Sequence, residues 1–173
     1  MTESGEAPPR PIREIIVGIG ALAVSNDPDS ALITHDLGSC VAVCVHDPVA
    51  RVGGLLHYLL PLSTEGAAHL PLRPECYADT GVPMLFERIY ALGGVKSRLR
   101  VRVAGGATIA KAAQASELPS IGLRNTLILR KMFWQNQIIV AGQDTGGTEA
   151  RSVRLDLRTG AARVTTLRGA REL

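Results

Sequence analysis

Aromatic residues, cysteines and long apolar runs are all scarce in this 173-residue chain. Aromatic residues make up 3% of it, so the core must be aliphatic, and basic residues are not interleaved with aromatic ones as in nucleic-acid-binding surfaces. The net charge of +3 is mild, which favours interpreting the scattered arginines as a solvated basic surface. No run approaches the ~20 apolar residues of a membrane span, and residues 1–11 lack the apolar segment of a secretory signal.

The cysteines do not form an obvious disulfide or metal site. Cys40 and Cys44 fall in one predicted strand, where a rise of about 3.3 Å per residue places them roughly 13 Å apart. A disulfide needs Cα atoms within about 7 Å, and two cysteines at this strand spacing cannot bind one zinc ion together. Since the third cysteine, Cys76, leaves an odd count and no export signal is present, we expect a cytoplasmic protein with reduced thiols.

The pattern of apolar residues predicts a strand-rich chain with two clear helices. Helices are expected over Thr80–Leu92, with Asp79 or Thr80 as the N-cap, and over Ile121–Gln135, with a weaker short helix over Ile109–Ser116. Strands are expected where β-branched and apolar residues cluster or alternate, at 12–19, 31–37, 40–45, 51–60, 99–104, 138–141, 152–157 and 162–167.

This order of elements predicts an α+β fold. About seven or eight strands, with hairpins near the start and at the end, and two or three helices favour a layered sandwich of mixed β-sheet over a doubly wound sheet. We expect residues 1–11 to be a disordered lead-in, 12–168 to form a single catalytic domain, and 169–173 to be a tail.

The stretch from Thr34 to His57 carries two of the three cysteines and three of the four histidines. Two apolar runs flank the turn-forming residues Asp47–Ala50, which predicts a β-hairpin. If those four residues form the loop, Cys40 lies directly opposite His57. Directly opposed residues have Cβ atoms roughly 5 Å apart, close enough for a thiol–imidazole contact.

A cysteine and a histidine in contact are the minimum needed for thiol catalysis of acyl transfer. The imidazole takes the thiol proton, the thiolate attacks a carbonyl carbon, and the imidazolium protonates the leaving amine. Such sites also need a group that orients the imidazole and backbone N–H donors for the oxyanion. The stretch Gly38-Ser39-Cys40 could supply those donors. Residue types alone do not identify such a site, because a cysteine in an apolar strand is more often an inert core residue.

Several motifs in order resemble those of one family, the CheD family of chemoreceptor glutamine deamidases. The similarity extends from Ile15 to Leu167, and its motifs are Leu37-Gly38-Ser39-Cys40, Gly53 to His57, Tyr77-Ala78-Asp79-Thr80, Ala104-Gly105-Gly106-Ala107, Ile121-Gly122-Leu123-Arg124-Asn125 and Asp144-Thr145-Gly146-Gly147. In that family the cysteine of the Gly-Ser-Cys motif is the nucleophile, which matches Cys40. The base matches His57, and a threonine that completes the catalytic set matches Thr34.

The resemblance implies hydrolysis of glutamine side chains on the cytoplasmic domains of methyl-accepting chemotaxis receptors, through a thioester on Cys40, without a metal or an organic cofactor. Thr34 would orient His57 by hydrogen bonding. Asp36 lies two residues after Thr34 in the same predicted strand, so its side chain should point to the same face. It is therefore an alternative residue for orienting His57.

Two alternatives stay open beside hydrolysis. A transglutaminase would use the same Cys–His site with an amine in place of water, and a non-catalytic adaptor would bind receptor helices or a CheC-type phosphatase. Relatives that bind such a phosphatase often have Phe shortly after the Gly-Gly-Ala motif, where this chain has Thr108-Ile109-Ala110. That departure, with Ala110 in place of Phe, argues against phosphatase binding through this surface.

Overall fold

The computed structural model describes residues 10–66, 73–108 and 119–173, and these ranges form two five-stranded sheets with two α-helices. The strands are β1 (Arg13–Ile16), β2 (Ala21–Ser25), β3 (Ser30–Leu37), β4 (Val41–Asp47), β5 (Val52–Tyr58), β6 (Arg100–Gly105), β7 (Val140–Thr145), β8 (Arg151–Asp156), β9 (Ala162–Thr166) and β10 (Gly169–Glu172). The helices are α1 (Ala78–Ala91) and α2 (Ile121–Gln135). The α+β sandwich predicted from the sequence is confirmed.

The first sheet has the strand order β1-β3-β8-β9-β10, and the second has the order β2-β5-β4-β6-β7. Both sheets are mixed, because β1 pairs with β3 and β6 pairs with β7 in parallel while the other neighbours are antiparallel.

Strands β4 and β5 of the second sheet are buried on both faces, which explains why their sequences are apolar at successive positions. Ala42 and Cys44 point into the core between the two sheets. The alternate residues Val41, Val43 and Val45 pack in a second core with residues of α1 and α2. Cys44 is therefore a core residue, as the sequence predicted.

Two edge strands were not predicted. The first predicted strand, 12–19, is only Arg13–Ile16, and the chain then turns at Gly20, whose φ is +63°, into β2 of the other sheet. Residues 169–173 are not a tail, because Gly169–Glu172 form β10, which pairs with β9. Gly169, with a φ of +130°, permits the sharp reversal after Thr166.

The two strongly predicted helices are present. α2 has the predicted bounds, and the Ser120 hydroxyl caps it by accepting from the Leu123 N–H. α1 begins two residues earlier than predicted, and its N-cap is Tyr77, whose side chain makes no capping bond. The Asp79 carboxylate instead accepts from the backbone and hydroxyl of Ser63.

The short helix predicted over Ile109–Ser116 lies outside the described residues, as do residues 1–9 of the predicted lead-in. Neither helix in the described ranges is long and apolar enough to cross a membrane.

Candidate active site

The predicted hairpin exists, but its register differs from the prediction by two residues. Val41 pairs with Tyr58 and Asp47 pairs with Val52, so Ala42, not Cys40, lies directly opposite His57. The loop is therefore residues 48–51, closed by Arg51 with a φ of +53°.

Asp47 sets this register. Its carboxylate is fully buried, accepts from the Val49 and Ala50 N–H groups, and forms an ion pair with Arg98. These bonds hold Asp47 at the end of the strand instead of in the loop.

A shift of two residues preserves which face each side chain occupies, because side chains alternate along a strand. Cys40 and Ala42 share a face, so Cys40 is a diagonal neighbour of His57 across the hairpin. Diagonal neighbours are separated by roughly 7–8 Å between Cα atoms. Cys40 is partly buried and packs at the margin of the core between the sheets, so the nucleophile and base predicted from the sequence face the same space.

Thr34 reaches this space from the opposite sheet. It lies on β3 of the first sheet, His57 lies on β5 of the second, and both side chains are fully buried. The Thr34 Oγ1 and His57 Nδ1 atoms are 2.7 Å apart, a hydrogen bond that spans the two sheets.

Asp36, the rival for orienting His57, is exposed and has a φ of +57°. The pairing of β3 with β8 is irregular between Thr34 and Leu37. The regular alternation of side chains, which predicted Asp36 on the same face as Thr34, is therefore interrupted there. Asp36 influences His57 only through its charge, while Thr34 contacts it.

The second ring nitrogen of His57, Nε2, is buried and has no hydrogen-bond partner within residues 10–66, 73–108 and 119–173. When Nδ1–H donates to the Thr34 hydroxyl, Nε2 is the unprotonated nitrogen that can accept a proton. A buried nitrogen without a partner lowers stability, and a catalytic role is one of the explanations for such a group.

Burial also sets the protonation states of the two side chains. It lowers the pKa of His57 to about 4, against the opposing effect of the Asp36 charge. Burial raises the pKa of the Cys40 thiol, although its own backbone N–H acts in the opposite direction. At neutral pH the resting pair is therefore a neutral thiol and a neutral imidazole.

The loop before Cys40 is held by the turn that follows β6. The Ala107 N–H donates to the Gly38 carbonyl, and the Gly106 N–H donates to the Cys40 carbonyl, each at 2.8 Å. Gly105 has a φ of +115°, and a Cβ there would lie 2.2 Å from the Cys40 carbonyl oxygen. Glycine is required at this position because the two backbones approach so closely.

The backbone N–H groups of this loop differ in their availability as oxyanion donors. The Gly38 N–H is already bonded to the Asp36 carbonyl at 2.9 Å, so it is not available. The Ser39 and Cys40 N–H groups donate to no other backbone carbonyl in the described part of the chain. Of the predicted donors, the Ser39 and Cys40 N–H groups are therefore the two candidates that the described residues leave without a backbone acceptor.

Of the other cysteines and histidines, Cys44 pairs with Leu55 and so is also a diagonal neighbour of His57, but it is buried in the core whereas Cys40 is only partly buried. Cys44 and Cys76 are buried, His46 is buried beside Gly160, and His35 contacts Ser152 on the surface, while His69 lies outside the described residues. In the described ranges no group of three or more His, Cys, Asp or Glu side chains is arranged to hold a metal ion.

Comparison with known proteins identifies the family. The family model for CheD chemotactic sensory transduction matches residues 59–166. A probable chemoreceptor glutamine deamidase CheD 1 of Syntrophus aciditrophicus is 44% identical over 147 residues, which cover 85% of this chain and 90% of that protein. The chain belongs to the CheD family.

Other CheD proteins match over a similar length. The chemoreceptor glutamine deamidase CheD of Thermotoga maritima is 38% identical over 158 residues, covering 91% of this chain and 95% of that protein. A probable CheD deamidase of Pyrococcus abyssi is 40% identical over 154 residues, covering 88% and 91%.

One solved structure has a distant likeness to this chain. A crystal structure of a Neisseria meningitidis protein of family DUF152 has a TM-score of 0.43 and 13% identity, over 79% of this chain and 63% of that one. This likeness is too weak to inform the fold or the site.

Proposed function

We propose that this CheD-family chain is a cytoplasmic, cysteine-dependent protein-glutamine deamidase that converts glutamine side chains of methyl-accepting chemotaxis receptors to glutamate. The observation that carries the proposal is the 2.7 Å bond between Thr34 and His57, which leaves Nε2 of His57 free on the face that Cys40 shares. The names of the relatives supply the substrate class, because they are chemoreceptor glutamine deamidases or probable ones.

The first half of the reaction forms a thioester. His57 Nε2 takes the proton of the Cys40 thiol as Sγ attacks the carboxamide carbon of the substrate. The carbonyl oxygen becomes an oxyanion that the Ser39 and Cys40 N–H groups stabilise. The imidazolium then protonates the nitrogen, the C–N bond breaks, and ammonia leaves.

The second half releases the glutamate product. His57 Nε2 takes a proton from water as the oxygen attacks the thioester carbon. The C–S bond breaks, the imidazolium returns the proton to the Cys40 sulfur, and the side chain leaves as a carboxylic acid that ionises. One water is consumed for each ammonia released.

Thr34 supports the imidazole differently from a carboxylate. Its hydroxyl accepts the Nδ1–H bond and fixes the ring, but it carries no charge with which to stabilise the imidazolium. Because burial disfavours that cation, the negative charge forming on the substrate and sulfur must stabilise it during the reaction. Thr34 should therefore matter less for the rate than Cys40 or His57.

A receptor cytoplasmic fragment tests this function. Mass spectrometry of its peptides should show conversion of Gln to Glu by the wild-type protein and none by Cys40→Ala. Cys44→Ala is the matched control, since Cys44 lies on the same face of the same hairpin strand but belongs to the core. Unchanged conversion by Cys40→Ala would contradict the assignment of the nucleophile.

The same experiment separates the alternatives. Incorporation of an added primary amine into the receptor would identify a transglutaminase, because the amine replaces water at the thioester. Binding of the receptor without conversion would identify an adaptor. For a CheC-type phosphatase, the substitution of Ala110 for the Phe of its binding relatives leads us to expect no binding through that surface.

A further inference from the structure

Asn125 is a fully buried amide in the first turns of α2. Its Nδ2 donates to the Ser39 carbonyl at 2.9 Å and to the Leu59 carbonyl at 2.7 Å. Its own backbone carbonyl accepts from the Tyr58 hydroxyl at 3.0 Å. A single side chain thus bonds the residue before Cys40 and the second residue after His57.

This amide lies where the hairpin pairing stops. The last paired residues of β4 and β5 are Val41 and Tyr58, and beyond them the two strands no longer exchange hydrogen bonds. Both hydrogens of one NH₂ group bind the two carbonyls there. Asn125 therefore fixes the spacing between the segment that carries the nucleophile and the segment that carries the base.

Asn125 also fixes the direction of the Cys40 N–H. The Ser39 carbonyl and the Cys40 N–H belong to one peptide unit, which is planar and trans, so they point in opposite directions. With the Ser39 carbonyl directed at the buried amide, the Cys40 N–H is directed away from α2. That N–H is one of the two candidate donors for the oxyanion.

The orientation of the amide follows from its neighbours. If oxygen and nitrogen were exchanged, Oδ1 would face two carbonyl oxygens and no hydrogen bond would form. In the observed orientation Oδ1 is buried without a partner among the described residues. An unsatisfied buried oxygen lowers stability and offsets part of what the two Nδ2 hydrogen bonds contribute.

We propose that Asn125 is a positioning residue for the deamidation, acting through the Ser39–Cys40 peptide and Leu59 without contact with the substrate. The inference rests on the proposed function. An oxyanion donor that is misdirected loses most of its effect on the transition state, while the binding of the receptor elsewhere is unchanged. Asn125 should therefore affect kcat much more than KM.

Two variants separate the hydrogen bonds from the volume of the side chain. Asn125→Asp keeps nearly the same shape but, as a carboxylate, has no N–H to donate, and Asn125→Ala removes the whole amide. Leu129→Val is the matched control, because Leu129 is buried one turn further along α2 and its aliphatic side chain forms no hydrogen bond with the Ser39 carbonyl.

Deamidation of a receptor fragment should be measured below the melting temperature of each variant. We expect kcat to fall at least about tenfold in Asn125→Asp and Asn125→Ala, with KM within about threefold of wild type. Leu129→Val should keep kcat within about twofold. If either folded Asn125 variant keeps the wild-type kcat, the inference is wrong.

An amide spectrum gives a readout that does not depend on activity. In ¹H–¹⁵N spectra the Cys40 amide resonance should move in either Asn125 variant that folds and stay in place in Leu129→Val. An unmoved Cys40 amide would overturn the inference even if the activity fell. If the wild-type protein converts no receptor glutamine, the proposed function fails, and the Cys40 resonance still decides whether Asn125 positions this peptide.

Discussion

The Thr34 hydroxyl and Nδ1 of His57 lie 2.7 Å apart across the space between the two sheets. Each residue comes from a different sheet, so the His57 ring is oriented only when the sandwich is assembled. The bond occupies Nδ1 and leaves Nε2, the proposed proton acceptor, without a partner among the described residues. This relationship leads to the first prediction.

Thr34→Val replaces the hydroxyl by a methyl group of similar size and leaves His57 Nδ1 buried without a partner. We expect kcat to fall about 10- to 100-fold, less than in Cys40→Ala or His57→Ala, because Thr34 orients the ring without supplying charge. Thr34→Ser keeps the hydroxyl and should retain most of the activity. Full activity in Thr34→Val, measured as Gln-to-Glu conversion, would contradict an orienting role.

The pH dependence of kcat/KM should reflect a buried, neutral base. Because burial lowers the pKa of His57 to about 4, the imidazole is unprotonated through the whole neutral range. The acid limb of the profile should therefore lie near pH 4. A limb near pH 6.5, the value of an exposed histidine, would show that His57 is more hydrated in the working enzyme than in this structure.

Stability should fall as the pH drops below about 6.5. Burial lowers the pKa values of both His57 and His46 in the folded protein, so between pH 6.5 and 4 the unfolded chain binds protons that the folded protein does not. His57 alone should remove about 2 kcal/mol of the free energy of unfolding by pH 5. Above pH 6.5 these two residues should cause no pH dependence.

Urea unfolding at pH 7.5, 6 and 5 measures this loss. His57→Asn should flatten the dependence, because it removes the buried imidazole. An equal slope in wild type and His57→Asn would rule out the expected contribution of His57.

Asp47→Ala should strongly destabilise the fold with little effect on the chemistry. Burial tends to raise the pKa of Asp47, but the Arg98 side chain and the Ala50, Val95 and Val49 N–H groups outweigh it and hold the pKa well below its usual value. Arg98 is about a third exposed and can be hydrated after the substitution, so we expect a loss of about 3 kcal/mol, the lower end of the range for a fully buried pair.

Urea unfolding of Asp47→Ala gives the loss of stability, and Glu14→Ala is the control. Glu14 forms an exposed ion pair with Arg154, which should contribute less than about 1 kcal/mol. Below the melting temperature kcat should change little in Asp47→Ala, because Asp47 lies at the loop end of the hairpin and Cys40 at the other. A large fall in kcat in folded protein would contradict this separation.

Gly105→Ala should affect both stability and activity. Its Cβ would lie 2.2 Å from the Cys40 carbonyl oxygen at a φ of +115°, so the segment that carries the nucleophile would have to move. Gly93→Ala is the matched control, since Gly93 has a φ of +91° but open space around its Cβ position. Both variants should unfold more easily, and only Gly105→Ala should lose kcat in the folded state. Equal kcat values would show that the Gly105 contact does not position Cys40.

The sequence predicted those helices and hairpins whose formation depends on residues close together in the chain. α2 has its predicted bounds, and the hairpin predicted at the end of the chain forms between β8 and β9. β2 and β10 were missed because edge strands are partly or wholly exposed and lack a clear alternation of apolar and polar residues.

The site was predicted in its residues but not in its geometry. The family resemblance indicated Thr34, Cys40 and His57, and their catalytic roles stay predictions. The hairpin register depends on the ion pair between Asp47 and the distant Arg98. The proposed positioning role of Asn125 depends on its hydrogen bonds to the Ser39 and Leu59 carbonyls. Contacts between residues so far apart in the chain leave no local pattern in the sequence.

The most direct test of the account is to trap the thioester. The protein is mixed with a receptor fragment, quenched in acid within one turnover, digested, and analysed by mass spectrometry. The account predicts a receptor acyl group attached to the peptide that contains Cys40, with the attachment lost in Cys40→Ala and retained in Cys44→Ala. Conversion of glutamine to glutamate by Cys40→Ala at the wild-type rate, with no acyl group on Cys40 of the wild type, would contradict it.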